Sequence, residues 1–397
     1  MVTNYMATKI TGAAPPSLPT PSPEAQAHSN KLCQLIHRDI ELQGGWIPFS
    51  RFMELALYAP ELGYYSAGSL KLGAAGDFVT APEISSLFGR TLARQVSEIM
   101  AQSTPQIIEL GAGSGKLAAD ILSELERQNH LPDRYDILEV SADLRARQQA
   151  LLRERLPHLI NRIHWLDALP DSISGVLIAN EVLDALPVHL VRWTDARILE
   201  RGIASENTEF VWQERLPHAP ALHHLAQQIS MPDGTLSEIS LAARGLVSSL
   251  SARLKQGVLL FIDYGFGTRE YYHPQRDSGT LMCHYRHHAH DDPFYLPGLQ
   301  DITAHVNFTS IAEAAIEADL HLYGYTTQAH FLINCGITGL LEESDPESVF
   351  DYLPLSSQLQ KLTSPAEMGD LFKVIALGKG MGTPLIGFVA GDKSRLL

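Results

Sequence analysis

The chain of 397 residues is 45% apolar and 19% charged, which predicts a globular protein with a sizeable core and about two domains. Its formal charge of −15 argues against a nucleic-acid partner, because an acidic surface repels phosphate groups, and no apolar run reaches the ~20 residues of a membrane span. Three distant cysteines without a CxxC pair argue against disulfides and zinc knuckles, and the lack of a signal-peptide or arginine-rich presequence pattern predicts a cytoplasmic protein rather than one of the mitochondrial matrix.

The N-terminal part of the chain changes character twice. Residues 1–28 contain five prolines and little that could enter a core, which predicts a disordered tail. Residues 29–103 are predicted to be a helical segment, with Gly44 and Gly45 separating two amphipathic patterns and a glycine-rich loop extending through Gly76. The helix after this loop has apolar residues at helical spacing: Phe88, Leu92, Val96 and Ile99. We expect the loop to cover a site formed by the motif that follows.

After residue 104, strand patterns alternate with helical patterns. This alternation predicts an α/β fold with a parallel, doubly wound, Rossmann-like sheet. The predicted strands lie at 106–110, 135–140, 162–166, 175–180, 257–265, 371–378 and 384–389, and the first two helices between them lie at 115–128 and 141–155.

A long connection separates two of these strands. About 75 residues lie between Asn180 and Gly257, which is much longer than an ordinary crossover. Three short strand patterns and an apolar helix fill this stretch, so we predict a smaller inserted lobe at 194–254 on the substrate side. The main domain is then predicted to comprise 104–193 and 255–397.

The first strand of the sheet leads into a glycine-rich loop, ELGAGSG, of a kind that three nucleotide-binding chemistries use. An ATP-binding P-loop requires Ser or Thr after its GK pair, but Leu117 follows Lys116 here, which excludes that chemistry. A dinucleotide-binding loop requires a third glycine where Lys116 stands, which disfavours a hydride-transfer enzyme without excluding it. The remaining pattern suits the zwitterionic amino-acid tail of S-adenosylmethionine (SAM), and it comprises Glu109, Gly111, Gly113 and Gly115.

Acidic residues follow the next two strands. Glu139 stands 26 residues after Gly113, where nucleoside-binding sheets place a carboxylate for the ribose hydroxyls, although a carboxylate there also favours the dipole of the next helix. Asp167 is a candidate for holding the adenine amino group, with a plain turn or N-cap role as the alternative.

The segment ANEVLDALP follows the fourth strand, where ligands of open α/β sheets meet the protein. It lacks the Asn-Pro-Pro-aromatic turn typical of enzymes that methylate amides or adenine. Arginine methyltransferases instead place carboxylates near this point to clamp the guanidinium, which makes Glu181 and Asp184 candidate catalytic residues. The alternative is that Asn180 caps a short helix and Glu181 complements its dipole.

Six segments, in order along the chain, carry a family resemblance: GDFVTAPEISSLFG (76–89), ELGAGSGKLAADIL (109–122), ANEVLDALPVHLV (179–191), FIDYGF (261–266), GTLMCHYRHH (279–288) and QDITAHVNFTSI (300–311). Together they resemble the MidA family, the SAM-dependent methyltransferases that include the mitochondrial complex I assembly factor. The match extends over roughly residues 30–390, and DFVTAPEIS and NEVLDALPV are its most specific parts.

The resemblance implies SAM as cofactor, S-adenosyl-L-homocysteine as product, and protein arginine N-methylation with symmetric dimethylation. It implies a protein partner, a peripheral-arm subunit of NADH:ubiquinone oxidoreductase, and is compatible with a homodimer. Thr80 and Pro82 would form a wall over the cofactor, and Asn180, Glu181 and Asp263 would lie at the mouth of the site. Asn180 is thereby a candidate cofactor-binding residue, and Asp263 a candidate catalytic residue beside Glu181 and Asp184. The chain departs from the family pattern at one position, where Asn307 replaces an expected Asp, so no acid-base role is expected there.

Two other functions stay open from the sequence. One is a non-catalytic complex I assembly chaperone that binds SAM, which should tolerate loss of the Glu181 carboxylate. The other is a small-molecule methyltransferase, which should have a deep closed pocket. The His-rich loop at 283–292 has irregular ligand spacing, so we expect a polar substrate-contacting loop and no metal, while His305 is a candidate proton acceptor or an ordinary core histidine.

Overall fold

The computed structural model describes residues 18–67, 80–343, 348–382 and 384–397 of the chain. Its N-terminal elements are α1 (Pro23–Leu42), β1 (Ile47–Pro48), α2 (Phe49–Tyr58), α3 (Ala81–Ile84) and α4 (Ser86–Gln102). No helix among these ranges is both long enough and apolar enough to cross a bilayer. The predicted glycine-rich loop through Gly76 lies outside the described residues.

The first helix begins earlier than the composition of the tail suggests. The hydroxyl of Ser22 accepts a hydrogen bond from the amide of Ala25, Pro23 occupies the first helical turn, and Glu24 complements the helix dipole. The prediction of disorder is therefore wrong over residues 23–28, because these start signals outweigh the proline-rich composition.

The main sheet has eight strands among the described residues: β2 (Gln106–Leu110), β3 (Arg134–Leu138), β4 (Ile163–Leu166), β5 (Ile173–Asn180), β10 (Leu254–Phe266), β14 (Val306–Asn307), β15 (His321–Thr327) and β16 (Phe372–Lys379). Their order is β15-β16-β10-β5-β2-β3-β4, with β14 paired to β10. Strands β4, β3, β2, β5 and β10 run parallel, whereas β16 and β15 are antiparallel to their neighbours. The predicted Rossmann-like α/β fold is confirmed, with a mixed sheet.

The sheet separates two apolar cores, which explains why its strands read as continuous apolar runs. Successive side chains alternate between the cores, so that Ile107 and Leu260 face one layer while Ile108 and Leu259 face the other. The first layer contains α4, α5 (Lys116–Arg127), α6 (Ala142–Arg155), α11 (Gln328–Asn334), α12 (Ile337–Leu341) and part of α13 (Val349–Thr363). The second contains α8 (Leu241–Arg253) and α10 (Phe308–Glu317). The predicted apolar face of α4 is confirmed as buried.

One predicted strand of the main sheet is wrong. Residues 384–389 contain a short 3-10 helix, Ile386–Phe388, instead of a strand. The amides of Ile386 and Gly387 donate to the side chains of Glu98 and Gln95 on α4, so their hydrogen bonds go to a helix and not to a sheet edge.

A second, antiparallel sheet extends the molecule. It joins β1 to β6 (His189–Trp193), β7 (Ile198–Glu206), β8 (Glu209–Arg215) and β9 (Leu236–Ile239), beside α7 (Pro220–Gln228). The boundaries differ from the predicted lobe at 194–254, because β6 pairs with both β7 and β9, and because α8 packs against the main sheet. The remaining elements are α9 (Thr268–Tyr271), β11 (Met282–Tyr285), β12 (His288–His290), β13 (Asp301–Thr303) and α14 (Met368–Leu371).

Candidate functional site

A cavity of about 320 Å³ lies at the carboxyl ends of β2, β3 and β5. This is the edge at which open α/β sheets bind ligands. Eight of the predicted site residues line it: Thr80, Pro82, Glu109, Gly111, Gly113, Glu139, Asn180 and Glu181. Four others, Gly115, Asp167, Asp184 and Asp263, are not among the lining residues.

The glycine loop turns sharply between β2 and α5. Gly111, Gly113 and Gly115 have φ angles of +62°, +54° and +86°, a left-handed conformation that glycine adopts without steric cost. A Cβ atom on Gly111 would lie 3.2 Å from Cγ2 of Val182, across the cavity floor. Gly115 instead precedes α5 and packs against Gln148, so its role is local packing. The loop therefore exposes backbone to whatever fills the cavity.

Two buried carboxylates flank this loop. Glu109 accepts a hydrogen bond of 2.7 Å from the Tyr135 hydroxyl, and burial raises the pKa of its carboxyl to about 7. Glu139 accepts from the amide of Ser141 at 2.9 Å and from Nε2 of Gln148 at 3.0 Å. Gln148 also donates to the carbonyl of Gly113 at 2.9 Å, so it ties Glu139 to the glycine loop. Sequence reasoning missed Gln148, whose contacts are long-range.

The predicted adenine contact, Asp167, lies away from the cavity. Its side chain is 89% exposed and pairs with Nη1 of Arg145 at 2.8 Å. The cavity wall at this end is apolar and includes Val140 and Leu144. The prediction that Asp167 faces the cofactor is therefore not supported by its position, because the turn after β4 directs it to solvent.

A wall formed by α3, with Thr80 directly before it, closes one side of the cavity. The hydroxyl of Ser114 donates to Glu83 Oε1, and Nζ of Lys116 donates to the carbonyl of Pro82. Both bonds join the glycine loop to α3. The lysine that broke the dinucleotide pattern thus fastens this wall to the loop.

Glu181 projects into the cavity from the first position after β5. Its φ of +52° is unusual for a residue with a side chain, and its amide is held by the carbonyl of Ile262 at 2.8 Å. Oε1 accepts from Nδ2 of Asn180 at 3.1 Å and from the amide of Ala81 at 3.4 Å. Residues 181–188 form turns and bends and contain no helix, so the alternative of a helix cap at Asn180 is wrong.

Burial and the nearby Asp184 carboxylate raise the pKa of Glu181 to about 8. Among the residues that the structure describes, no lysine, arginine or histidine pairs with Glu181, Asp184 or Asp263. Within the described residues, Oδ1 of Asn180 is also buried and has no hydrogen-bond partner. The site therefore presents acceptors for which the described residues supply no cation.

Asp184 and Asp263 lie behind the turn that carries Glu181. Oδ2 of Asp263 accepts from the amides of Leu183 at 2.9 Å and Asp184 at 3.2 Å, and Oδ1 accepts from the amide of Tyr264. Burial, with the Asp184 charge, holds the pKa of Asp263 well above its usual range, and burial raises that of Asp184 to about 6. The expectation that Asp263 lies at the mouth is wrong, because its side chain braces the turn from beneath.

Two tyrosines complete the cavity beside Glu181, and the sequence did not indicate them. The rings of Tyr58 and Tyr65 stack with centroids 5.5 Å apart. The Tyr58 hydroxyl donates to the carbonyl of Ala185 at 3.0 Å, and that of Tyr65 to Oδ1 of Asp301 at 2.9 Å. Their only sequence signal is an aromatic-rich stretch at the end of α2 and just after it, which a core would equally explain.

The remaining sequence candidates lie elsewhere. His305 packs against Tyr264 and Phe266, and burial with nearby cationic side chains lowers its pKa to about 4. Asn307 caps α10 by accepting from the amide of Ser310. Within the described residues of the His-rich loop and elsewhere, no three His, Cys, Asp or Glu side chains converge as a metal site.

Comparison with known proteins agrees with this geometry. Residues 87–326 match a family model described as S-adenosyl-L-methionine-dependent methyltransferase. The mitochondrial protein arginine methyltransferases NDUFAF7 of Danio rerio and Homo sapiens are each 30% identical over 84% of this chain, and over 83% and 80% of their own. A crystal structure from Burkholderia thailandensis, bound to S-adenosyl-homocysteine, is 48% identical and has a TM-score of 0.93, covering 96% of this chain and 100% of that one.

The cofactor of the protein is accordingly SAM, and the product is S-adenosyl-L-homocysteine. The cavity fits such a molecule, because a glycine cradle, buried carboxylates and the unpartnered Oδ1 of Asn180 surround it. The family match, the shared fold and the cavity at the ends of β2, β3 and β5 agree, and the chain belongs to the MidA family of SAM-dependent methyltransferases.

Proposed function

We propose that the protein methylates arginine side chains of another protein and that Glu181 holds the acceptor guanidinium. The observation that carries this proposal is the position of Glu181: a half-buried carboxylate, on a left-handed backbone, beside the glycine loop. The names of the relatives, protein arginine methyltransferases at about 30% identity, support the same acceptor class.

The charge at this position favours a cationic acceptor. A desolvated carboxylate without a cationic partner prefers the protonated form, which is why the pKa of Glu181 is high. A guanidinium would satisfy it, because this group stays protonated and presents N–H donors in a planar fork that fits a carboxylate. Asp184 and Asp301 increase the negative potential around Glu181, and Asp263 holds its turn in place. Binding of the acceptor would therefore ionise Glu181.

The cofactor has its own set of residues in this proposal. Glu109 and the backbone of Gly111 and Gly113 would hold the amino-acid tail, Glu139 the ribose hydroxyls, and Thr80 and Pro82 would cover the molecule. When bound, SAM supplies the methyl group. Asn180, with its free Oδ1, stands between this set and Glu181 and would orient one or the other.

The residues around Glu181 act by positioning. Its carboxylate would hold two N–H groups of the guanidinium and leave a third nitrogen directed at the cofactor, which supplies orientation and reduces the entropic cost of the reaction. The stacked rings of Tyr58 and Tyr65 would exclude water from this side. His305 does not line the cavity, so Glu181 is the better candidate to accept the proton that the methylated nitrogen releases.

The finer statements rest on the family resemblance. They comprise symmetric dimethylation and a peripheral-arm subunit of NADH:ubiquinone oxidoreductase as target. The two other functions, a SAM-binding assembly chaperone and a small-molecule methyltransferase, give different outcomes in one experiment.

The experiment supplies methyl-labelled SAM and the purified protein to a lysate of cells that lack it, followed by mass spectrometry. We expect label on arginine, in fragments characteristic of symmetric dimethylation, and at least a hundredfold less label with Glu181→Gln. Glu41→Gln is the matched control, because Glu41 is exposed on α1. Label on a metabolite would indicate a small-molecule methyltransferase, and cofactor binding without any labelled product would indicate the chaperone.

A further inference from the structure

A second depression adjoins the cavity and has no part in holding the cofactor. It is a groove of about 520 Å³, which we call the α2–α8 groove. Its walls are Ser50, Arg51, Glu54 and Tyr58 from α2, Leu186, Pro187 and His189 from the segment after β5, and Ala242 from α8. Tyr58 and Leu186 also line the cavity. The groove and the cavity therefore adjoin at these two residues.

The dimensions of the groove suit an extended peptide. From Ser50 to Tyr58, α2 advances eight residues, or about 12 Å at 1.5 Å per residue, which is the length of three or four residues of extended chain. On α8, Ala242 lines the groove and Leu246 lines the cavity, one helical turn and about 6 Å apart. A long side chain of a peptide in the groove could reach the cavity by passing between Tyr58 and Leu186.

Carboxylates on the walls and directly behind them outnumber the guanidinium groups there. The guanidinium of Arg51 is bonded by two carboxylates, Asp39 through Nε at 3.1 Å and Nη2 at 3.2 Å, and Glu54 through Nη1 at 2.9 Å. One cation thus stands against two anions, and half of the Glu54 side chain is exposed. Nδ1 of His189 lies 2.6 Å from the buried carboxylate of Glu200. A basic segment would find favourable potential along this path, whereas an acidic one would be repelled.

We propose that the α2–α8 groove binds the acceptor protein as an extended, basic segment whose arginine side chain enters the cavity past Tyr58 and Leu186. This inference rests on the proposed function. The proposal assigns substrate selection to the groove, because α2 and α8 would contact the residues that flank the acceptor arginine. The second sheet contributes His189 and its partner Glu200, which gives the added lobe a role in forming the groove.

The test blocks the groove without touching the cofactor. Ala242→Trp places an indole in the groove, and Ser249→Trp puts the same side chain on an exposed position of α8 outside it. Binding of a fluorescein-labelled glycine-arginine repeat peptide to the S-adenosyl-homocysteine-loaded protein is followed by fluorescence anisotropy. We expect the Kd of the peptide to rise at least tenfold for Ala242→Trp and to stay unchanged for Ser249→Trp. Both variants should bind S-adenosyl-homocysteine with the affinity of the wild type, which checks that they are folded.

A charge reversal gives a second, independent readout. Glu54→Lys should weaken binding of the glycine-arginine peptide about fivefold at low salt, because an attraction at a half-exposed position becomes a repulsion. Asp133→Lys is its matched control, since Asp133 is exposed just before β3, at the opposite edge of the sheet. A glycine-glutamate repeat peptide should bind none of the proteins.

The outcomes separate the groove from the proposed chemistry. Equal peptide affinity of the wild type and Ala242→Trp, or no binding by the wild type, would overturn the groove proposal. If the wild type and Ala242→Trp label arginine in the lysate at equal rates, the groove proposal is overturned as well. The proposed arginine methylation would still stand. Groove-dependent peptide binding without arginine labelling by the wild type would instead overturn the proposed function.

Discussion

Replacing Glu181 by Gln should make the protein more stable in alkaline solution and remove its turnover. The amide keeps nearly the shape of the carboxylate, and its oxygen can still accept from Asn180 Nδ2 and the amide of Ala81. What the substitution removes is a charge that the folded, ligand-free protein accommodates poorly. Stability and catalysis are therefore expected to change in opposite directions.

The magnitude follows from the pKa of Glu181, which is about 8 in the folded protein against an ordinary value of 4.5. A carboxyl whose pKa rises on folding favours the folded state while protonated, and this contribution is lost as pH rises from the unfolded value through the folded one. Between pH 6 and pH 8 the wild type should lose about 2 kcal/mol of unfolding free energy through this group, at roughly 1.4 kcal/mol per pH unit until the folded pKa is approached.

The variant lacks this loss. Removing the Glu181 charge also lowers the raised pKa of Asp263, which reduces the pH dependence further in the same direction. The difference in unfolding free energy between Glu181→Gln and the wild type should thus grow by about 2 kcal/mol from pH 6 to pH 8.

The measurement is urea denaturation of the ligand-free proteins at several pH values, followed by circular dichroism, with the exposed Glu41→Gln as control. Calorimetric titration with SAM shows whether the cofactor site is intact. A stability difference that stays constant between pH 6 and pH 8 would refute the reasoning, because Glu181 would then not titrate in this range in the folded state.

Three further predictions concern the cofactor side. Glu139→Gln should weaken binding of S-adenosyl-homocysteine about tenfold or more in calorimetry, because a charged acceptor is lost while the bond from the Ser141 amide is kept; an unchanged Kd would assign Glu139 to the helix start alone. Asp167→Ala should leave that Kd unchanged, since the side chain points to solvent, and a tenfold weakening would restore the adenine contact that we predicted from sequence. Gly111→Ala should cost about 1 kcal/mol in urea denaturation, because φ is +62° and the new methyl group would press on Val182; equal stability would contradict the left-handed turn.

The sequence was most informative where a local pattern has one structural solution. β2, the glycine loop and α5 follow directly from an apolar run, three glycines with left-handed φ angles and a helical apolar face. β5 was equally clear, because a strand covered on both faces must be apolar throughout. The edge of the sheet that bears the cavity then followed from the parallel order of these strands.

Tertiary structure was needed where neighbours far along the chain decide the outcome. Residues 384–389 have a strand pattern, but the side chains of Gln95 and Glu98 take their amides. Asp167 directly follows an apolar strand, as Glu181 does, and Asp263 lies within one, yet Asp167 points to solvent and Asp263 braces a turn. Their positions depend on where each strand lies in the sheet.

The site itself shows the same division. The sequence by itself determined the SAM fold, the glycine cradle and the acidic position at Glu181, because these depend on short segments with strong conformational preferences. Only the tertiary structure brought Tyr65 to Asp301, 236 positions apart, and Ala81 to Glu181, 100 positions apart. No local sequence pattern indicates which of these distant residues will contact each other. The acceptor side of the cavity and the adjoining groove could therefore be identified only in the folded structure.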